Sequence, residues 1–214
     1  LGVELEQKSA EWLRFRSDKI GASDAASLVG LSPWKTAQEL FLEKTGRVTK
    51  EFKTNPAIER GNRLEPAVRS LVELWFDDCY PADMRTAKDR PWLLASLDGY
   101  CERNHSLIEI KVGNRVDFEK NIVPAKYYPQ IQQQLEVYES EIAYYCTYYV
   151  EKTAPDLSGR LKILEVPRNQ DWINKYLEVA DRFHLAMRTG NPPEPVDTRD
   201  FELSLPIQYS ILKP

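Results

Sequence analysis

The apolar positions of this chain change period along its length, and the changes mark out its elements. Spacings of three and four, the period of a helix side, run over residues 9–16, with Trp12, Leu13 and Phe15 apolar and Ser9 as N-cap. They recur over residues 24–29, which Ser23 is placed to cap and Gly30 to end. Ser32-Pro33-Trp34 turns the chain into a third helix. There Thr36 and Glu39 have capping-box spacing, and Leu40, Phe41 and Leu42 form the apolar side before Gly46. Asn55-Pro56 opens a long helical segment, with Pro at a tolerated first position. Pro66 predicts a kink or break just after Glu65, and Leu71, Val72, Leu74, Trp75 and Phe76 continue the segment as a mostly buried stripe.

From residue 92 the pattern becomes that of strands, predicted at residues 92–96, 100–102 and 107–112. A helix is expected over 124–138, then an aromatic strand at 142–150 and another at 161–166. The last helix spans 171–187, where Trp172, Tyr176, Val179, Phe183 and Met187 read as core packing; residues 191–195 open a turn-rich tail. Helices, hairpin-like strands and then helix–strand–strand–helix give an α/β fold with a central mixed β-sheet flanked by helices. At 214 residues a single domain is expected over 1–214, with no internal repeat.

Composition adds limits. The chain is 42% hydrophobic and 29% charged, and no apolar run approaches the ~20 residues that cross a bilayer, so no membrane partner is expected. Cys79, Cys101 and Cys146 are odd in number and widely spaced, which points to free thiols in a reducing, cytoplasmic setting and is too few for an iron–sulfur cluster. His184 falls in an amphipathic helix, where it reads as structural. The net charge of −4 hides an asymmetry: residues 12–69 carry eleven Lys and Arg against seven Asp and Glu, and residues 134–214 carry nine against thirteen. A phosphate-binding surface is therefore expected in the N-terminal third.

The candidate chemistry lies between Ser96 and Lys111. In Leu107-Ile108-Glu109-Ile110-Lys111-Val112, Glu109 and Lys111 point to one side of a strand and the aliphatic residues to the other. A buried carboxylate and ammonium are costly unless something repays their desolvation. A divalent cation does so, with Asp98 as second carboxylate, the Ile110 carbonyl as a further oxygen ligand, and Lys111 left to position or deprotonate an attacking water. The same residues also suit an Asp98-Gly99 hairpin turn and a surface ion pair.

Four blocks stand in one order: Arg16 and Ile20-Gly21-Ala22-Ser23-Asp24-Ala25-Ala26 with Leu31-Ser32-Pro33-Trp34; Arg60-Gly61-Asn62-Arg63-Leu64-Glu65-Pro66; Ala95-Ser96-Leu97-Asp98-Gly99 with Glu109-Ile110-Lys111; and Tyr127-Tyr128-Pro129-Gln130-Ile131-Gln132-Gln133-Gln134-Leu135. Over residues 10–150 this resembles the phage lambda-type exonuclease family of viral recombinases, a branch of the PD-(D/E)xK (restriction-endonuclease-like) superfamily. Leu97 departs from the Pro that usually precedes the Asp. Residues 151–190 hold the C-terminal strand and helix, and 191–214 the tail; neither carries a usable motif.

The resemblance implies a Mg²⁺-dependent 5′→3′ exonuclease on double-stranded DNA ends, with Mn²⁺ able to substitute, leaving a 3′ single strand for phage-type recombination. It implies a ring-shaped homotrimer and a single-strand annealing partner. Carried onto this chain, Asp98, Glu109 and Glu65 form the acidic cluster and Lys111 serves the water. Arg16 and Ser23 form a 5′-phosphate pocket, and Ile58 aligns with an apolar wedge that splays the terminal base pair. Tyr127, Gln130 and Gln134 share one helical face toward the site, with Gln130 able to hold a phosphate or a metal-bound water, and Ser96 shares a strand face with Asp98. The alternatives are an endonuclease with the same metal core and a DNA-end-binding module.

Overall fold

The computed structural model describes residues 9–48, 55–76, 79–80, 83–151, 155 and 158–212. Helix α1 (Ala10–Ser17) begins where Ser9 accepts the Trp12 N–H at 3.1 Å. After β1 (Ile20–Gly21), a 3₁₀ turn over Ala22–Asp24 leads into α2 (Ala25–Leu28). Ser23 lies inside that turn and does not cap the helix, contrary to the sequence expectation. Asp24 holds the capping position, yet its carboxylate is drawn back to the Gly21 N–H at 3.1 Å and to Lys44 at 3.0 Å. Gly30, at φ 73°, ends α2 in the left-handed region that L side chains avoid. Helix α3 (Ala37–Lys44) carries the expected capping box: Thr36 accepts the Glu39 N–H at 3.2 Å, and Glu39 accepts the Thr36 N–H at 2.8 Å.

Helix α4 (Pro56–Glu73) starts at the Asn55 cap and runs through Pro66 without the predicted break. A proline inside a helix removes one hydrogen bond and costs roughly 3 kcal/mol. Leu64, Val68 and Val72, four residues apart, are buried against Ile108 and Ile110, and each contributes about 1.5–3 kcal/mol. Burial outweighs the lost bond. Leu71, Val72 and Phe76 of the expected stripe pack on this core, but Leu74 (79%) and Trp75 (40%) are exposed beyond the helix end.

The remaining elements are β2 (Cys79–Tyr80), β3 (Arg85–Thr86), β4 (Leu93–Ala95), β5 (Gly99–Cys101), β6 (Ser106–Val112), α5 (Arg115–Glu119), α6 (Tyr128–Tyr138), β7 (Ile142–Tyr149), β8 (Arg160–Pro167), α7 (Gln170–Thr189), α8 (Arg199–Glu202) and β9 (Ser210–Leu212). Helix α6 begins four residues later than expected; Pro129 occupies its first turn, and Pro124 opens a separate turn whose carbonyl accepts the Tyr127 N–H at 2.8 Å. A six-stranded sheet has the order β2-β5-β6-β7-β8-β9, antiparallel except at β6–β7, which α5 and α6 connect; a second sheet has the order β1-β4-β3. One face of the larger sheet packs Leu107, Ala143, Tyr145 and Leu164 in a core with α6 and α7, and the other packs Ile108, Ile110, Cys146 and Ile163 against α4. Trp172, Tyr176 and Phe183 of α7 are buried in the first core, as their spacing predicts. The tail returns to the fold, with β9 extending the sheet and Phe201 of α8 buried, which its turn-rich opening did not reveal. No described helix is long and apolar enough to cross a membrane.

Candidate active site

The strict alternation of β6 sends Ile108 and Ile110 toward α4 and leaves Glu109 and Lys111 on the side that α6 covers. Glu109 is 3% exposed and its carboxylate is surrounded by donors. Oε1 accepts from Lys111 Nζ and from Gln130 Nε2 at 2.6 Å; Oε2 accepts from Gln134 Nε2 at 2.6 Å. Gln134 Nε2 also donates to the Ser96 carbonyl at 3.1 Å, tying α6 to the chain that precedes Asp98.

Asp98 sits between β4 and β5 in a connection fastened to β6, not in a two-residue hairpin. Its N–H donates to the Ile108 carbonyl at 3.1 Å, and its Oδ2 accepts the Ile110 N–H at 2.7 Å. The Ile110 group that meets Asp98 is thus the N–H. Ser96 follows the end of β4, so the two do not share a strand face as expected; Ser96 reaches the site through its carbonyl. On α4, Arg69 stands 3.2 Å from Glu65 Oε1 and 3.8 Å from Asp98 Oδ1, which brings Glu65 to the edge of the cluster.

Burial, then repulsion from Asp98, lift Glu109 above the ordinary carboxylate range, although Lys111 and Gln134 oppose the rise. Burial acts to lower the Lys111 pKa, but Glu109 and Asp98 outweigh it and hold Lys111 above its ordinary value. Asp98 and Glu109 thus bring two carboxylates together beside Lys111 and Arg69. In addition, Gln134 Oε1 is buried with no hydrogen-bond partner among the described residues. Among those residues no three of His, Cys, Asp and Glu gather closely enough to hold an ion alone. Two carboxylates with substrate and water completing the shell is the way a hard cation such as Mg²⁺ is usually held, so the residues fit it.

A second polar cluster forms where α1 meets the 3₁₀ turn. Arg16 Nη2 donates to Ser23 Oγ at 3.1 Å, and its guanidinium lies 4.4 Å from the Trp12 ring centroid. A Cβ on Gly21 would stand 2.4 Å from Arg16 Nη2, so glycine is required for this approach. Beneath it Lys44 Nζ contacts Asp24 and donates to the carbonyls of Arg16 (3.2 Å) and Lys19 (2.6 Å). Burial holds Arg16 below its ordinary value, with Asp24 partly offsetting this. Burial alone would raise Asp24, but Lys44 and Arg16 keep its carboxyl below the usual range.

Thus Asp98, Glu109, Lys111, Gln130 and Gln134 meet in one network. Tyr127, at the N-cap of α6, presents its ring 5.4 Å from Lys111 Nζ. Arg16 and Ser23 meet in the second cluster. Ile58 lies 41% exposed in the first turn of α4, outside these hydrogen bonds. Sequence reasoning missed Arg69, Asp24 and Lys44. The (i, i+4) spacing of Glu65 and Arg69 was the available signal for the first; nothing local marks the pairing of Asp24 with Lys44.

An Asp at the entry to one strand and a Glu-x-Lys on the next, where antiparallel pairing gives way to parallel in a helix-flanked mixed sheet, define a PD-(D/E)xK fold. Two solved structures share this fold. The alkaline exonuclease LHK-Exo of Laribacter hongkongensis superposes with a TM-score of 0.72 at 21% identity, covering 86% of this chain and 94% of its own. The phage-related exonuclease of Haemophilus somnus 129PT superposes at 0.57 with 13% identity, covering 80% and 94%. The chain belongs to the YqaJ-like viral recombinase domain family, whose profile matches residues 11–143. It is 30% identical over 142 residues to the uncharacterised protein YqaJ of Bacillus subtilis, covering 64% of this chain and 44% of that protein. The chain spans less than half the length of the curated relatives it matches.

Proposed function

We propose that this domain is a Mg²⁺-dependent 5′→3′ exonuclease on double-stranded DNA ends. The observation that carries this reading is the buried Glu109, paired with a half-buried Lys111 and facing an Asp98 locked by the Ile110 N–H. Asp98, Glu109 and the Ile110 carbonyl would hold the ion, with Glu65 at the rim. When bound, the ion supplies charge stabilisation at the phosphate and a more acidic water. Lys111, held against the Glu109 carboxylate, is placed to position or deprotonate the attacking water. Gln130 and Gln134 fix the Glu109 carboxylate, so the site needs little reorganisation as charge develops.

End recognition rests on Arg16 and Ser23, a guanidinium and a hydroxyl already directed at one another and suited to two oxygens of a terminal phosphate. The exposed Ile58 suits a wedge against the terminal base pair. The ring-shaped homotrimer and the single-strand annealing partner belong to the same proposal. Its test is digestion of a linear duplex and a covalently closed circle with Mg²⁺, Mn²⁺ or chelator. Loss of the linear DNA alone, with either metal, supports the reading. Cutting of the circle favours the endonuclease, and metal-dependent retention of a DNA end without turnover favours a binding module.

A further inference from the structure

The loop between α2 and α3 displays an aromatic ring that the catalytic network does not use. The Trp34 N–H donates to Ser32 Oγ at 3.3 Å, and the Lys35 N–H donates to the same oxygen at 3.3 Å, so the backbone is held while the Trp34 side chain stands 67% exposed. Lys126 Nζ lies 5.1 Å from the Trp34 ring centroid and 5.1 Å from that of Tyr127, with Asp117 at 3.8 Å. The Trp34 and Tyr127 centroids are 6.4 Å apart at 42°. Lys111 then lies 5.4 Å from the Tyr127 centroid. Trp34, Lys126, Tyr127 and Lys111 therefore form a continuous ladder of rings and ammonium groups that begins in solvent and ends in the candidate active site.

A large ring left in water forfeits the burial that normally stabilises a Trp. Its surroundings give the occupant. A π-face beside an ammonium matches a nucleotide, whose base stacks on the ring and whose phosphate faces the cation. An apolar protein surface would instead leave Lys126 desolvated against it. We propose that Trp34, flanked by Lys126 and Tyr127, stacks a nucleobase of the DNA strand entering the active site and thereby positions that strand against Lys111. This deepens the nuclease reading and rests on it. It assigns Trp34 as a positioning residue, not a catalytic one.

The test uses the full chain and 5′-phosphorylated linear duplexes in which each terminal nucleotide in turn is replaced by an abasic analogue. Binding is read by fluorescence anisotropy in Ca²⁺, and turnover in Mg²⁺. The expected result is one abasic position that weakens wild-type binding about five- to a hundredfold, the usual range for losing one base stacked on an aromatic ring. Trp34→Ala should bind intact and abasic DNA alike, at the weaker wild-type level, with the change in KM rather than kcat. Trp34→Phe should restore most of the difference. Because the ring is exposed, the variants should keep the wild-type melting temperature. If Trp34→Ala retains the full wild-type discrimination, or if no abasic position matters to the wild type, the platform is wrong. A chain that shows Trp34-dependent discrimination in binding but never cuts DNA would keep the platform and remove the nuclease reading.

Discussion

Replacing Gln133 by Leu is the perturbation whose consequence the structure fixes most closely. Gln133 is fully buried on α6; its Nε2 donates to the carbonyls of Ile20 (3.0 Å) and Leu94 (2.8 Å), and its Oε1 accepts the Tyr176 hydroxyl. One amide thus joins β1, β4, α6 and α7. It lies between the strand that leads into the Arg16–Ser23 cluster and the strand that leads to Asp98. Leu fills a similar volume but makes none of the three bonds, each worth about 1 kcal/mol net. It also strands the hydroxyl of a fully buried tyrosine, which adds about 1–2 kcal/mol. The expected loss is therefore about 4 kcal/mol, a drop in Tm of roughly 8–16 °C for a domain of this size. Urea unfolding followed by circular dichroism measures it. Tyr176→Phe in the Gln133→Leu background should cost little, since the stranded hydroxyl is gone, giving a coupling of about 1 kcal/mol or more in the double-mutant cycle. A loss below about 1 kcal/mol for Gln133→Leu, or strict additivity of the two changes, would mean that the Gln133 amide does not hold these elements together.

Lys111→Ala should lower turnover by roughly two to four orders of magnitude while the far-ultraviolet spectrum is unchanged, and Asp98→Ala and Glu109→Ala should do at least as much; end-labelled duplex digestion checks all three. Mg²⁺ at a hundred times its Kd should add about 2.7 kcal/mol to the stability of the folded chain, and Glu109→Gln should remove that increment in a thermal-shift titration. The depressed pKa of Asp24 means that its stabilisation is fully present above pH ~5 and lost as pH falls through the folded value; Asp24→Asn should be less stable at neutral pH and show a flatter loss in acid, measured by unfolding across pH. Arg16→Ala should erase a preference for 5′-phosphorylated over 5′-hydroxyl ends of about tenfold to a hundredfold, read as the ratio of initial rates on the two duplexes.

Much of the site was legible because it rests on strand alternation. Once 107–112 is a strand, Ile108 and Ile110 must share a face, and Glu109 and Lys111 the other; the register of β6 between β5 and β7 bears this out. The caps at Ser9, Thr36 and Asn55 were readable for the same reason, since each is a local hydrogen bond within three residues. What escaped the sequence depends on distant partners. Pro66 signals a break, yet Leu64, Val68 and Val72 find their burial on β6 and carry the helix through. Ser23 has the chemistry of a cap, but the pull of Lys44 on Asp24, twenty residues away in sequence, reshapes the turn around it. Strand β9 is legible only against the edge of β8, because nothing in its own short sequence demands pairing.

Where and how DNA is first cut tests the proposed 5′→3′ exonuclease most directly. A linear duplex phosphorylated at both 5′ ends, labelled internally near one 5′ terminus or near the 3′ terminus, is incubated with the chain in Mg²⁺ and sampled through the first turnovers. A 5′→3′ exonuclease releases label near the 5′ terminus first and 3′-proximal label on the same strand last, and Asp98→Ala should release neither. Early release from the 3′ side, or release that survives Asp98→Ala or chelator, would rule out a metal-dependent 5′→3′ exonuclease.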